Sequence, residues 1–153
     1  MEIITSSFQG QVLALSSHAQ ASYVVNRCLE FHFPDVFDFI YKEAHENFVS
    51  MAKSQYGVVI LRNIIDNEDN PYKASFIRTA IENSIELSQH QYGNFIIQHV
   101  IDAKTFDAEN TRVQILTKFK GSIIELSMQK YSSNVIEKVL NEEWNDCLVV
   151  TYG

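Results

Sequence analysis

Apolar residues in this chain come in pairs set four apart, and the sets recur. Val24/Val25 is followed by Cys28/Leu29, Ile60/Leu61 by Ile64/Ile65, Ile96/Ile97 by Val100/Ile101, and Val135/Ile136 by Val139/Leu140. A spacing of four puts both pairs of a set on one face of a helix, so each run predicts an amphipathic helix. Ahead of each run lies a shorter stretch with apolar residues at its fourth and sixth places: Leu13/Leu15, Val49/Met51, Ile85/Leu87 and Ile124/Leu126. A small residue stands between stretch and run (Ala21, Gly57, Gly93 or Ser132), which predicts a tight helix–helix junction.

The pattern is an internal repeat. Gln55-Tyr56-Gly57 returns 36 residues later as Gln91-Tyr92-Gly93, and windows beginning at Gly10, Glu46, Glu82 and Gly121 align along their length. Between windows there is room for a third helix over Asp35–Ala44, Tyr72–Ile81 and roughly Ala108–Phe119, with Pro71 suited to a helix start because it has no N–H to satisfy. Repeats of roughly 8–44, 45–80, 81–119 and 120–153 follow, forming one domain over residues 1–153. Such a unit cannot bury its own apolar face, so the expectation is an all-α solenoid of stacked units. Its continuous core should contain Val24, Cys28, Ile60, Ile64, Ile96, Val100, Val135 and Val139. Three extra residues around Ala103–Asn110 predict a longer surface loop, and the aperiodic Trp144–Val150 is expected to cap the last repeat. The residues before Phe8 are too few to form a cap, so apolar surface at the ends should drive weak self-association or contact with a regulatory protein partner.

Composition narrows the functional classes. The 153 residues are 46% hydrophobic and 20% charged, with 5 Gly and 2 Pro, which suits one compact helical unit. A formal net charge of −7 excludes a polybasic nucleic-acid or membrane binder, so any nucleic-acid function must rest on a local surface. Cys28 and Cys147 form no CxxC pair or disulfide framework; together with the absence of a leader-like N-terminus or a long apolar run, this predicts a cytoplasmic, membrane-free protein. Cys28 shares the apolar phase of Ile64 and Val100 and reads as a buried structural thiol. The five histidines show no metal-ligand spacing, and there is no GxSxG, Walker or GxGxxG motif, so no enzyme, metal or cofactor is expected. His18 and His90 share one repeat phase and read as turn residues between helices.

The 36-residue period, the stretch YGNFIIQHVID of Tyr92–Asp102 and the stretch SSNVIEKVL of Ser132–Leu140 resemble Pumilio-homology (PUF) repeats. The resemblance covers Phe8 to about Leu140 and implies a right-handed α-solenoid of three-helix repeats whose second helices read single-stranded RNA. In that family the second helix carries a triplet in the pattern 1-2-x-x-5, in which the first and fifth residues meet a base edge and the second stacks between bases. Carried over, the triplets are Ser22, Tyr23, Asn26; Val58, Val59, Arg62; Asn94, Phe95, Gln98; and Ser133, Asn134, Glu137. Residues one and five lie on one helix face and can approach a flat base together.

Asn94 with Gln98 matches the family pair for uracil, and Ser133 with Glu137 the pair for guanine, whose N1–H and N2–H a carboxylate can accept. Ser22 with Asn26 departs from the usual pattern and is assigned adenine. Val58 cannot donate or accept and Val59 is a poorer stacking platform than a ring, which leaves repeat two either to skip a base or to contact only phosphate through Arg62. Arg27, His99 and Lys138 share the next phase and form a basic strip of candidate phosphate contacts. Glu30, Asp66 and Asp102 lie three residues further on, near helix C-termini where the macrodipole disfavours them. The implied function is messenger-RNA binding in untranslated regions for post-transcriptional regulation. The alternative is a protein-interaction scaffold without RNA readout, to which the charge of −7, the apolar second triplet and the count of only four repeats point.

Overall fold

The fold is taken from a computed structural model, which describes residues 2–31, 34–103 and 108–140. Trp144–Val150, Cys147 and residues 104–107 of the loop expected around Ala103–Asn110 lie outside the described residues. Within them every regular element is a helix: α1 (Glu2–Phe8), α2 (Val12–Leu15), α3 (Ala19–Glu30), α4 (Pro34–Glu46), α5 (Phe48–Ala52), α6 (Gly57–Asp66), α7 (Lys73–Glu82), α8 (Ser84–Ser88), α9 (Gly93–Asp102), α10 (Ala108–Phe119), α11 (Ile123–Ser127) and α12 (Ser132–Val139). After α1 the order is short helix, second helix, third helix, three times over, and then α11 and α12. The second helices α3, α6, α9 and α12 pack each on the next, while α7 and α10 close over α9 from the other side. The architecture is an all-α solenoid.

The paired apolar positions explain the stack. Ile60, Leu61, Ile64 and Ile65 of α6 are wholly buried, and Ile96, Ile97, Val100 and Ile101 of α9 nearly so. Burying each such side chain contributes on the order of 1.5–3 kcal/mol. Seven of the eight expected core residues are buried, but Val24 is 46% exposed. Its equivalents Ile60, Ile96 and Val135 are covered, so this phase faces the preceding second helix, and α3 has none among the described residues. The mirror case is Leu140, exposed at the other end while its equivalents Leu29, Ile65 and Ile101 are buried.

In the short helices the sixth-place residues Met51, Leu87 and Leu126 are buried as their pattern implies. The fourth-place residues are not, since Leu13, Ile85 and Ile124 remain exposed. Val12 and Phe48, three residues before the sixth place, take the inward position instead, because residues three apart share a helix face and residues two apart do not.

The small residue at each junction marks a close backbone approach. A methyl on Gly93 would stand 2.8 Å from the Leu87 carbonyl oxygen, and one on Gly57 would come closer still to that of Met51. Ser132 occupies the same place and converts the contact into a hydrogen bond, its hydroxyl donating to Leu126 O at 2.6 Å.

Two helix starts differ from the sequence reading. Helix α7 opens at Lys73, two residues beyond Pro71, because Asn70 builds the turn: its Oδ1 accepts from Tyr72 N–H at 2.8 Å and its Nδ2 donates to Ile64 O at 3.0 Å. Pro34 is the proline that does open a helix. Ahead of the first repeat, the residues judged too few for a cap do form α1, but none of them is fully buried, Ile3 and Ile4 face outward, and only Phe8 packs against the core.

Replacing Gly57 with alanine should lower the unfolding free energy by about 1–3 kcal/mol, the usual effect of overpacking. The control is Gly121→Ala, where an added Cβ meets nothing within 4 Å and the change should stay below about 0.5 kcal/mol. Urea denaturation of both variants checks the pair.

Candidate nucleic-acid interface

The row of second helices presents its triplets at matching places. The second-position side chains of α3, α6 and α9, namely Tyr23, Val59 and Phe95, all face solvent, as does Asn134 of α12. Tyr23 is 76% exposed and Phe95 50%, although Val25 and Ile97, two residues on in the same helices, are completely buried. These rings are therefore not core aromatics; they offer flat apolar faces to a flat ligand.

The fifth-position residues lie alongside. Arg62 and Glu137 are exposed, while Asn26 and Gln98 are half-buried. First-position residues sit deeper, in the first turn of each helix against the preceding short helix: Ser22, Val58 and Asn94 are buried and Ser133 is half-buried. Local hydrogen bonds occupy them. Ser22 Oγ donates to Ala19 O at 2.7 Å, and Ser133 Oγ donates to Lys130 O at 3.3 Å.

Asn94, 1% exposed, donates both Nδ2 hydrogens to main-chain carbonyls, His90 O at 2.8 Å and Gln91 O at 2.9 Å. Carbonyls only accept, so they fix which way the amide points, and Asn94 Oδ1 then accepts from Gln98 Nε2 at 2.9 Å. The first and fifth residues of repeat three are thus brought together, and the edge that reaches solvent is that of Gln98. Val58 is buried and apolar, so repeat two presents Val59 and Arg62 alone.

Each residue of the expected basic strip is bonded to a carboxylate. His99 Nε2 lies 2.7 Å from Asp66 Oδ1 and Lys138 Nζ bonds to Asp102, each reaching back to the second helix of the preceding repeat, while Arg27 pairs with Glu30 in its own helix. This gives the acidic helix ends their physical reason: each carboxylate there has a cationic or imidazole partner, and two of the three pairs tie successive repeats together. Sequence reading missed this ladder because the partners belong to different windows, though the recurrence of an acid in one window and a base in the next was present in the chain.

The reading of His18 and His90 as turn residues matches their places. His18 is the N-cap residue of α3. His90 stands before α9, where its Nδ1 accepts from Tyr92 N–H at 3.1 Å and from Gly93 N–H at 3.3 Å. Only the neutral ring can accept there. Burial, reinforced by the nearby Lys53 charge, pushes the His90 pKa below the usual imidazole value. The neutral form therefore favours the fold above the ordinary histidine pKa, and that stability is lost as pH falls through the lowered value. Between about pH 7.5 and about pH 5, the melting temperature of the natural chain should drop more than that of His90→Asn, whose side-chain oxygen accepts at any pH. Paired thermal melts by circular dichroism measure the difference.

A helical solenoid with a row of exposed side chains along its second helices defines a helical-repeat protein with one surface set apart from its core. The Pumilio-family RNA binding repeat matches residues 11–43, 83–105 and 122–142, about half of the chain, and the chain belongs to that family. The unmatched centre includes α6, where the triplet departs from the pattern but the packing does not.

Pumilio homolog 12 of Arabidopsis thaliana is 29% identical over 144 residues, covering 92% of this chain and 23% of that protein. Pumilio homology domain family member 4 of Saccharomyces cerevisiae is 26% identical over 143 residues, covering 91% of this chain and 16% of that protein. Among solved structures, PUF-8 in complex with PBE-RNA superposes with a TM-score of 0.74 at 25% identity, covering 90% of this chain and 40% of that one. The RNA-binding domain of yeast Puf5p bound to SMX2 RNA also gives 0.74 at 25% identity, covering 85% and 36%. The chain thus spans a quarter or less of these curated relatives and under half of these solved domains.

Proposed function

We propose that this chain binds single-stranded RNA along α3, α6, α9 and α12, one base per repeat, with the C-terminal repeat taking the 5′ base. The observation that carries the reading is the exposure of Tyr23 and Phe95 at equivalent places on helices whose neighbouring residues Val25 and Ile97 are completely buried. The RNA-bound state of PUF-8 and of Puf5p supports it. In this reading Ser133 and Glu137 take guanine, Gln98 held by the buried Asn94 takes uracil, repeat two is unselective with Arg62 on phosphate, and Asn26 beside the buried Ser22 takes adenine, for a core of 5′-GU-x-A-3′. Arg27, His99 and Lys138 reach phosphate only by exchanging their carboxylate partners. The biological role in this reading is post-transcriptional regulation of messenger RNA in the cytoplasm.

One observation favours a second reading as a protein-interaction scaffold: the charge of −7 together with the pairing of the cations beside the row leaves little net attraction for a phosphate chain. Fluorescence anisotropy with GUNA-containing and scrambled oligonucleotides separates the two. Preference for the former supports RNA readout, and equal or absent binding supports the scaffold.

Two substitutions refine the test. Glu137→Gln should lose on the order of 1–3 kcal/mol of discrimination for guanine at the first base while keeping the other preferences. Phe95→Ala should weaken binding to every sequence alike, by roughly 1–3 kcal/mol, since stacking does not distinguish bases.

A further inference from the structure

The ladder between second helices changes at the joint of repeats one and two. At the next two joints the residue after the fifth triplet position, His99 or Lys138, reaches back to a carboxylate, Asp66 or Asp102. In α6 that place is held by Asn63, a shorter and neutral side chain. Its Nδ2 donates to Asn26 Oδ1 at 2.8 Å, and Glu30, the carboxylate of that phase, turns to Arg27 instead. Asn26 is the fifth-position side chain of repeat one. With its oxygen turned to Asn63, Asn26 turns the N–H donors of Nδ2 away from that residue. Ser22 adds nothing at that edge, because it is buried and its hydroxyl is given to Ala19 O.

We propose that Asn63, a residue of repeat two, is a positioning residue that sets the base preference of repeat one. By holding the Asn26 amide with its donors outward, it makes that repeat favour a base whose Watson–Crick edge carries a ring-nitrogen acceptor. Adenine N1 and cytosine N3 are such acceptors; uracil and guanine carry a hydrogen on the corresponding ring nitrogen, so an amide centred there meets donor with donor and can be accepted only by the flanking carbonyls. The inference rests on the RNA reading above and deepens it. It also gives the adenine assignment a cause, and it makes the selectivity of one module depend on a side chain of the next.

The test turns the amide over. In Asn63→Asp the new carboxylate can only accept, so the Asn26 amide must donate to it and present its oxygen outward. Anisotropy with four labelled oligonucleotides, GUNA, GUNC, GUNU and GUNG, reads the preference at the last base. The natural chain should favour A and C over U and G on the order of tenfold. Asn63→Asp should reverse that order, and Asn63→Leu, which removes the latch without imposing a direction, should reduce the preference to within about twofold. Uniform weakening by the added negative charge does not affect these ratios. Asn63 is exposed, so both variants should melt close to the natural chain.

Retention of the natural order in Asn63→Asp, or a natural preference for U or G, overturns the inference while discrimination of the leading GU keeps the RNA reading intact. No binding to any of the four oligonucleotides overturns both.

Discussion

No single repeat of this chain can bury its own second helix. Each of these helices carries apolar residues toward both neighbours, and only the packing of α3 on α6, α6 on α9 and α9 on α12 covers both sides. Everything useful about the surface follows from that constraint. The residues between the apolar flanks are left outside, and because the flanks recur every 36 residues through the first three repeats, the outside residues recur with them. The close junctions at Gly57 and Gly93 hold α6 and α9 hard against their own short helices by backbone contact, and the packing of second helix on second helix sets the spacing of the exposed row. A row of exposed second-position side chains at regular intervals, two of them rings, is thus a consequence of core packing.

The periodic parts of this arrangement could be read directly from the chain. Second helices, third helices, the small junction residues and the exposed phase of Tyr23 and Phe95 all depend on spacing within one window, and spacing is what a sequence displays. Val24 was misplaced because its burial depends on a neighbour rather than on its own helix, and the first repeat lacks that neighbour among the described residues. The short helices were half-read because four or five residues make little more than one turn, too few for a period to separate Leu13 or Ile85 from Val12 or Phe48. A buried irregularity also escaped notice: Ser84 stands where the other short helices have Val12, Phe48 and Ile123, and neither it nor Ser88 finds a partner for its hydroxyl.

For the site, the types of residue could be read and their orientations could not. Asn94 and Gln98 are recognisable as a pair from their spacing, but the direction of their amides is decided by the carbonyls of His90 and Gln91. The state of Asn26 is decided by Asn63, far along the chain and in another repeat. Hydrogen-bond direction is a property of the assembled stack, so a residue-by-residue code captures the vocabulary of such a surface and misses part of its grammar.

The charge ladder joins the packing to the chemistry. Exposed ion pairs such as Lys138 with Asp102 add at most about 1 kcal/mol each to stability, so their consequence here is geometric and electrostatic more than energetic. They tether the ends of successive second helices, and they neutralise the cations that a phosphate chain would otherwise meet. A surface with net charge −7 and with Arg27 and Lys138 already paired has little long-range pull on RNA beyond that of Arg62. What remains is short-range: ring faces at Tyr23 and Phe95 and the polar edges of Asn26, Gln98 and Glu137. On the proposed reading, short-range contacts form only when a base is in place, and the edges among them are what would distinguish one base from another. The acidity that argues against non-specific nucleic-acid binding is for that reason compatible with a specific reader, because it suppresses the sequence-independent contribution and leaves the sequence-dependent one standing.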